Sequence, residues 1–205
     1  MKVPSMYHEG MRHFQDHFGT RALADRLDEV TNRDAIDSGA SKMIERSTFF
    51  FLATTDADGW PDCSYKGGEA GFVKVANEKT LLFPSFDGNG MYRSIGNIHT
   101  NPKVGLLFID MERPKRLRIN GTASVISSGP LLEQYDKAEL VVSVRVVHVF
   151  PNCPRYIHQW QMVAPSMDVP VAGEPQPVPQ WKYREDLFDA LPADDPARFG
   201  QTDEG

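Results

Sequence analysis

TLLFPSFDGNGMYRSIGNIHTNPKVGLLFI, residues 80–109, decides the fold. An apolar run ends in Pro84-Ser85, a Gly/Asn turn over 87–90 opens a short helix predicted around residues 91–99, and Asn101-Pro102 closes it. A second apolar run, KVGLLFI (103–109), then reads as a strand. Just downstream, RLRINGTAS from Arg116 alternates strictly. Arg116, Arg118, Asn120, Thr122 and Ser124 share one face, and Leu117, Ile119, Ala123 and Val125 share the other.

Upstream, TFFFLATT (48–55) is a continuous apolar run that predicts a strand buried on both faces. Asp56-Ala-Asp58-Gly59 reads as a hairpin turn, WPDCSYK (60–66) and GFVKVA (71–76) as strands, and 77–79 as the turn into residue 80. Past the alternating strand, GPLLEQYDKAE (129–139) predicts a connecting helix and LVVSVRVVHVF (140–150) a last long strand. Six or seven strands joined by short turns argue for an antiparallel meander, most stable when closed into a barrel that removes exposed edges. The β-α-β alternation of a doubly wound fold is missing.

The ends of the chain differ in character. Residues 1–47 carry apolar residues at helical spacing in YHEGMRHFQDHF and TRALADRLDEV, with Thr20 placed to cap the second helix, and RDAIDSGASKMIERS leads into the first strand. Residues 151–180 hold seven prolines, the composition of an extended arm. Residues 185–205 hold seven acids and one base, which accounts for the whole net charge of −6. The expected organisation is a helical leader packed on the barrel (1–47), a barrel domain (48–160), and a Pro-rich arm with an acidic, solvating tail that crosses a surface or is mobile (161–205).

Composition excludes several classes. At 205 residues and 40% apolar content, one full domain is expected. A neutral body with an acidic tail gives no electrostatic reason to bind nucleic acid. No apolar run reaches the ~20 residues needed to span a bilayer, and the N-terminus lacks the apolar stretch of a signal peptide. Two cysteines, Cys63 and Cys153, do not form a disulfide framework, so a reduced, cytoplasmic location is expected, with Cys153 a buried thiol. His13 and His17 lie one helical turn apart, but no partner cluster supports a metal site. No GxGxxG or GxxxxGK[ST] motif is present.

On FFFLATTDADGWPDCSYKGG, LLFPSFDGNGMYRSIGNIHTNPKVGLLFID, RLRINGTA and VFPNCPRYI, taken in that order, residues 40–157 resemble the pyridoxamine 5′-phosphate oxidase-like flavoproteins, the FMN-binding split-barrel superfamily. The leader YHEGMRHFQDHFGTRALADRL is similar to that of a less characterised, FMN-dependent subgroup. The resemblance implies a mainly β fold with flanking helices, a six-stranded antiparallel split barrel, paired as a homodimer with flavin in the clefts between subunits. It implies an FMN-dependent oxidoreductase working on a small-molecule substrate or electron donor. A non-catalytic flavin or haem binder, an F420-dependent reductase and a protein-interaction module remain alternatives.

Carried over by residue, Lys74 matches a lysine near the flavin ring, and Pro84 and Ser85 a strand-end pair that binds flavin. Arg93 falls near the phosphate-binding Arg/Lys pair, with Asn89 and Ser94 as competing assignments in a longer loop. Arg116 falls where a ring-edge Gln is common, and Lys66 and Arg155 match basic positions of the subgroup. One departure concerns substrate: the oxidases themselves end in a strand pair with Trp and Arg, where this chain has its arm and tail.

The chemistry agrees with an anion site. A phosphate monoester carries close to two negative charges, and burying it requires charge-assisted hydrogen bonds. Lys66, Arg93, Arg116 and Arg118 are the available cations, Ser85, Ser94 and Asn89 the neutral partners, and the 87–90 turn offers N–H groups at a helix start. Arg116 and Arg118, side by side on one face, repel each other unless an anion joins them. Trp60, Tyr65 and Tyr92 border this region. No protein nucleophile is evident; in a flavoprotein the cofactor carries the redox chemistry.

Overall fold

The computed structural model describes residues 5–200. Three helices lead: α1 (Glu9–His17), α2 (Arg21–Thr31) and α3 (Ser38–Arg46). Seven strands follow, β1 (Phe49–Thr55), β2 (Pro61–Gly67), β3 (Lys74–Asn77), β4 (Thr80–Phe86), β5 (Lys103–Asp110), β6 (Lys115–Ile126) and β7 (Ala138–Asn152), with α4 (Arg93–Thr100) between β4 and β5. All pairs are antiparallel, in the order β2-β1-β5-β6-β7-β4-β3.

Packing shows how this sheet is shaped. β1 and β4 stand four strand spacings apart in the order, about 19 Å on a flat sheet. Yet the rings of Phe50 on β1 and Phe83 on β4 lie 5.0 Å apart, edge to face. The sheet therefore curls until its inner face meets itself. Phe50, Leu52, Phe72, Val73, Phe83, Leu106, Phe108, Ile119 and Val144 form one core within the curl. Six strands were expected in a closed barrel. Seven pair instead, and the edge strands β2 and β3 share no ladder, so the wall wraps without hydrogen-bonded closure.

Other expectations are corrected by packing. β1 buries only its inner face, Phe50, Leu52 and Thr54, while Phe49 on the outer face stacks on the exposed Tyr65 at 5.3 Å. Residues 129–137 form consecutive turns rather than a helix. Tyr135 must reach into a second apolar cluster with Leu82 and Val141, where its hydroxyl donates to Leu82 O, and Lys137 adopts a left-handed φ of 59° that ends the turn. Thr20 precedes α2 but makes no capping bond; its hydroxyl donates back to Gln15 O. Cys153 is exposed, as is Cys63, because it follows the end of β7.

The leader is held unevenly. Ile44 of α3 is fully buried, and Arg33 exchanges two backbone hydrogen bonds with Val149 of β7. The helices α1 and α2 bury no residue; Phe14, Phe18, Leu23 and Leu27 face outward. At the other end, the arm is tied to the β5–β6 turn. Trp160 N donates to Met111 O and Gln159 Nε2 to Glu112 O, past the end of β5. Beyond it the acidic stretch folds instead of simply solvating: residues 180–183 and 196–199 form 3-10 turns around a short helix α5 (Glu185–Phe188), with Lys182, Asp195 and Ala197 buried.

Among the described residues, no helix is long and apolar enough to cross a membrane.

Candidate functional site

The expected turn–helix unit builds a cleft. At the end of β4, the inner-face residue Ser85 follows Phe83 at strand spacing, and Gly90 takes a φ of 72° that lets the chain reverse. Asn89 Oδ1 accepts from Met91 N, fixing the turn. Tyr92 then holds a left-handed φ of 46°, uncommon for a residue with a side chain, and its hydroxyl donates to Glu139 Oε2 at 3.0 Å. The first turn of α4 begins there, with its unpaired N–H groups at the cleft.

Side chains tie α4 to the β1–β2 pair. Ser94 Oγ lies 2.8 Å from Ser64 Oγ, Asn97 Nδ2 donates to the buried Thr54 Oγ1, and Arg93 Nε donates to Asp62 Oδ1 at 3.1 Å. The result is a cleft of about 210 Å³ between β2, the end of β4 and the start of α4, lined by Ser64, Lys66, Ser85, Asn89, Arg93 and Ser94, among others.

Its electrostatics single out one residue. Asp62 is taken by Arg93 and by Ser64 Oγ, and Glu139 by Tyr92. Lys66 neighbours Phe50 in the β1–β2 register and is half-buried, with no hydrogen-bond partner among the described residues. Burial pushes its ammonium below the ordinary lysine range, and the Asp62 charge opposes this only in part. The terminal nitrogens of Arg93 also make no protein hydrogen bond among the described residues. Such an arrangement suits an anion: a half-desolvated cation, a forked guanidinium held by its Nε, serine hydroxyls and a helix start.

The structure thus brings together Lys66, Ser85, Asn89, Arg93 and Ser94, with Pro84 buried one residue behind Ser85. Pro84 follows the last β3–β4 pair, Lys74↔Leu82, where one side of β4 is free and a missing N–H is tolerated. Four candidates lie elsewhere. Lys74 donates to Gln134 O and sits 4.2 Å over the Tyr135 ring, holding the 129–137 turns. Arg116 and Arg118 project from the outer face of β6, the side away from the core that holds Leu117 and Ile119. Arg155 is exposed after β7.

Sequence reading did not single out Asp62, Ser64 or Glu139. Asp62 and Ser64 alternate with Lys66 along β2, a period-two signal that points all three to one face, whereas Glu139 reaches the cleft only through tertiary pairing. Trp60 and Tyr65 stay outside it. A larger groove of about 720 Å³ between α1 and α2 is lined by residues already paired with each other, Arg12 with Asp25 and Arg26 with Glu29.

Comparison with known proteins gives a family. No match was found among curated proteins. Several solved structures are similar in part. HupZ of Group A Streptococcus is 22% identical over 57% of this chain and 93% of its own, with a TM-score of 0.48. A pyridoxamine 5′-phosphate oxidase homologue from Lactobacillus delbrueckii is 21% identical over 59% of this chain and 99% of its own, also at 0.48. An FMN-binding protein from Syntrophomonas wolfei is 12% identical over 71% and 96%, at 0.42. The family model described as pyridoxamine 5′-phosphate oxidase matches residues 37–152, from the start of α3 to the end of β7. That match covers more than half of the sequence and contains every residue of the cleft, so the chain belongs to the pyridoxamine 5′-phosphate oxidase family.

Proposed function

We propose that this protein is an FMN-binding flavoprotein and an FMN-dependent oxidoreductase, with the flavin phosphate held in the cleft between β2, β4 and α4. The observation that carries the reading is Lys66, a half-buried ammonium with no partner among the described residues, aimed into a cleft of hydroxyls and free guanidinium nitrogens. Leaving a cation there without an anion is costly, and a phosphate would satisfy it. The residues fit the group. Lys66 and Arg93 would bond the phosphate oxygens, Ser85 and Ser94 would add neutral contacts, and Asp62 would keep Arg93 from turning away. Bound FMN would supply the electron transfer, and the protein would position it and limit solvent at the reacting face.

The cleft's volume supports a second element of the reading. About 210 Å³ is below the ~300–1,000 Å³ of pockets that enclose a whole ligand, so one chain provides the anion end of a larger site. A homodimer would complete it. The outward apolar residues of α1 and α2 and the outer-face aromatics Phe49 and Tyr65 favour a second copy as the covering surface.

The test is the absorption spectrum of the purified protein, the mass of its released ligand, and titration of the stripped protein with FMN while following flavin fluorescence. Saturation near one FMN per chain is expected, with the sample running as a dimer in sedimentation. A haem or F420 spectrum, or a colourless protein that FMN does not saturate, would overturn the assignment.

A further inference from the structure

The ligand loop has little to hold it. Residues 87–93 are all exposed, two of them are glycines, and the loop is supported by the Asn89–Met91 turn bond, the Tyr92–Glu139 contact and, at its far end, the Arg93–Asp62 pair. At its first residue a distant segment takes hold. Lys182 Nζ donates to Asp87 Oδ2 and to Asp195 Oδ2, each at 2.9 Å. The Lys182 side chain is only 5% exposed, and Asp195 8%, while Asp87 is 52% exposed. Asp195 alone would compensate the buried ammonium, and water would solvate Asp87. The second bond therefore does something the cap does not need for its own folding: it joins the cap to the loop that lines the cleft.

The arm delivers the cap to that place. Lys137 Nζ donates to Val171 O, and Gly173 N to Asp136 Oδ2, so the chain is pinned beside the start of β7 shortly before it reaches Lys182. Charge gives a second reason for the contact. An unpaired Asp87 carboxylate at the base of an anion-binding loop would repel the ligand, and the Lys182 ammonium neutralises it.

We propose that the C-terminal segment 180–199 is a strap that positions the ligand loop, with Lys182 as the positioning residue acting through Asp87; this rests on reading the cleft as the flavin-phosphate site. Lys182 does not line the cleft. Its effect on ligand affinity passes through the loop conformation and the Asp87 charge. Because coupling is reciprocal, ligand in the cleft must in turn stabilise the strap.

The experiment pairs affinity with exchange. FMN affinity of full-length Lys182→Met, Lys182→Arg and wild type is measured by flavin fluorescence, alongside apo melting temperatures. Lys182→Met is expected to bind FMN about tenfold more weakly, with Lys182→Arg recovering to within about threefold of wild type. Hydrogen exchange on the wild type, with and without saturating FMN, should slow in residues 180–199 as well as in 87–93. This readout holds even if Lys182→Met fails to fold. Unchanged exchange in 180–199, or wild-type affinity in a folded Lys182→Met protein with a lower melting temperature, would show a structural cap only and overturn the strap. A wild type that binds no FMN would overturn both this inference and the flavin reading.

Discussion

Arg93 and Asp62 meet across the β2–α4 junction, with Arg93 Nε donating to Asp62 Oδ1 at 3.1 Å and the Asp62 side chain only 15% exposed. The carboxylate takes one edge of the guanidinium and leaves the terminal nitrogens for something else. Lys66 stands two strand positions beyond Ser64 on the same edge, with no partner among the described residues. The two cations are therefore not equivalent, and their variants should differ.

Lys66→Met is expected to weaken FMN binding by about 10- to 100-fold, the size of one charge-assisted hydrogen bond of about 1.5–3 kcal/mol. The same change should leave the apo melting temperature equal or higher, because it removes a half-desolvated charge that Asp62 offsets only in part. Fluorescence titration and thermal melting on one preparation check both. Arg93→Ala should weaken binding less, since its guanidinium is 61% exposed and water screens it.

The Lys66 ammonium also sets a pH dependence. Its folded value lies below the ordinary lysine range, so the unfolded state binds more protons through the window between the two values. The burial penalty on apo stability is therefore full below that window and fades as pH rises through it. Ligand affinity moves the other way: FMN binding should decline as Lys66 loses its proton, at a lower pH than an ordinary lysine would give. Lys66→Arg should flatten that decline, and titrations across alkaline pH would show a persistent slope if another group were responsible.

Gly121 sits at the β6 bulge facing β7, where a Cβ would come within 2.5 Å of Arg145 O, a backbone atom that cannot swing aside. Gly121→Ala is expected to cost about 1–3 kcal/mol through overpacking. Denaturant melts should show it as a lower midpoint.

Asp195→Ala removes one of the two carboxylates on Lys182. Burial alone would lower the Lys182 ammonium, but Asp195 and Asp87 outweigh it and raise the net value. We expect a loss of about 2–3 kcal/mol, less than the 3–5 kcal/mol of a fully buried broken pair because the half-exposed Asp87 remains. Asp195 is held below the usual carboxylate range: desolvation pushes it up, and Lys182 and the Ala197 N–H more than reverse this. The contribution of the pair is present at neutral pH. It should be lost in acid as Asp195 protonates and in alkali above the raised Lys182 value. Calorimetry across pH tests the two flanks.

Oxidation of pyridoxamine 5′-phosphate is expected to be slow. The Trp181–Arg184 stretch, the one place a C-terminal Trp/Arg pair occurs, is a 3-10 turn, with Lys182 held by Asp87 and Asp195 and Arg184 paired to Asp186. Following pyridoxal 5′-phosphate with FMN-loaded protein and oxygen checks this; turnover like that of a dedicated oxidase would require those groups to be released.

The sequence by itself determined the local grammar of this protein. Period-two alternation set the faces of β6, Gly-rich turns set the reversals at 59 and 90, and helical spacing in the leader gave α1 to α3 within a few residues, because these depend on near neighbours. That Ser85, Asn89, Arg93 and Ser94 would line one cleft was legible because they sit within one strand–turn–helix unit, and Lys66 joins them from β2. Only the tertiary structure decided which cations share it. Strand order places β2 at the open edge beside α4 and turns Arg116 and Arg118 to the outer face, and no local pattern encodes which strands become neighbours. Likewise, the acidic tail reads as solvated from its charge, and only the fold brings Lys182 to Asp87, ninety-five residues away, and buries its ammonium against Asp195.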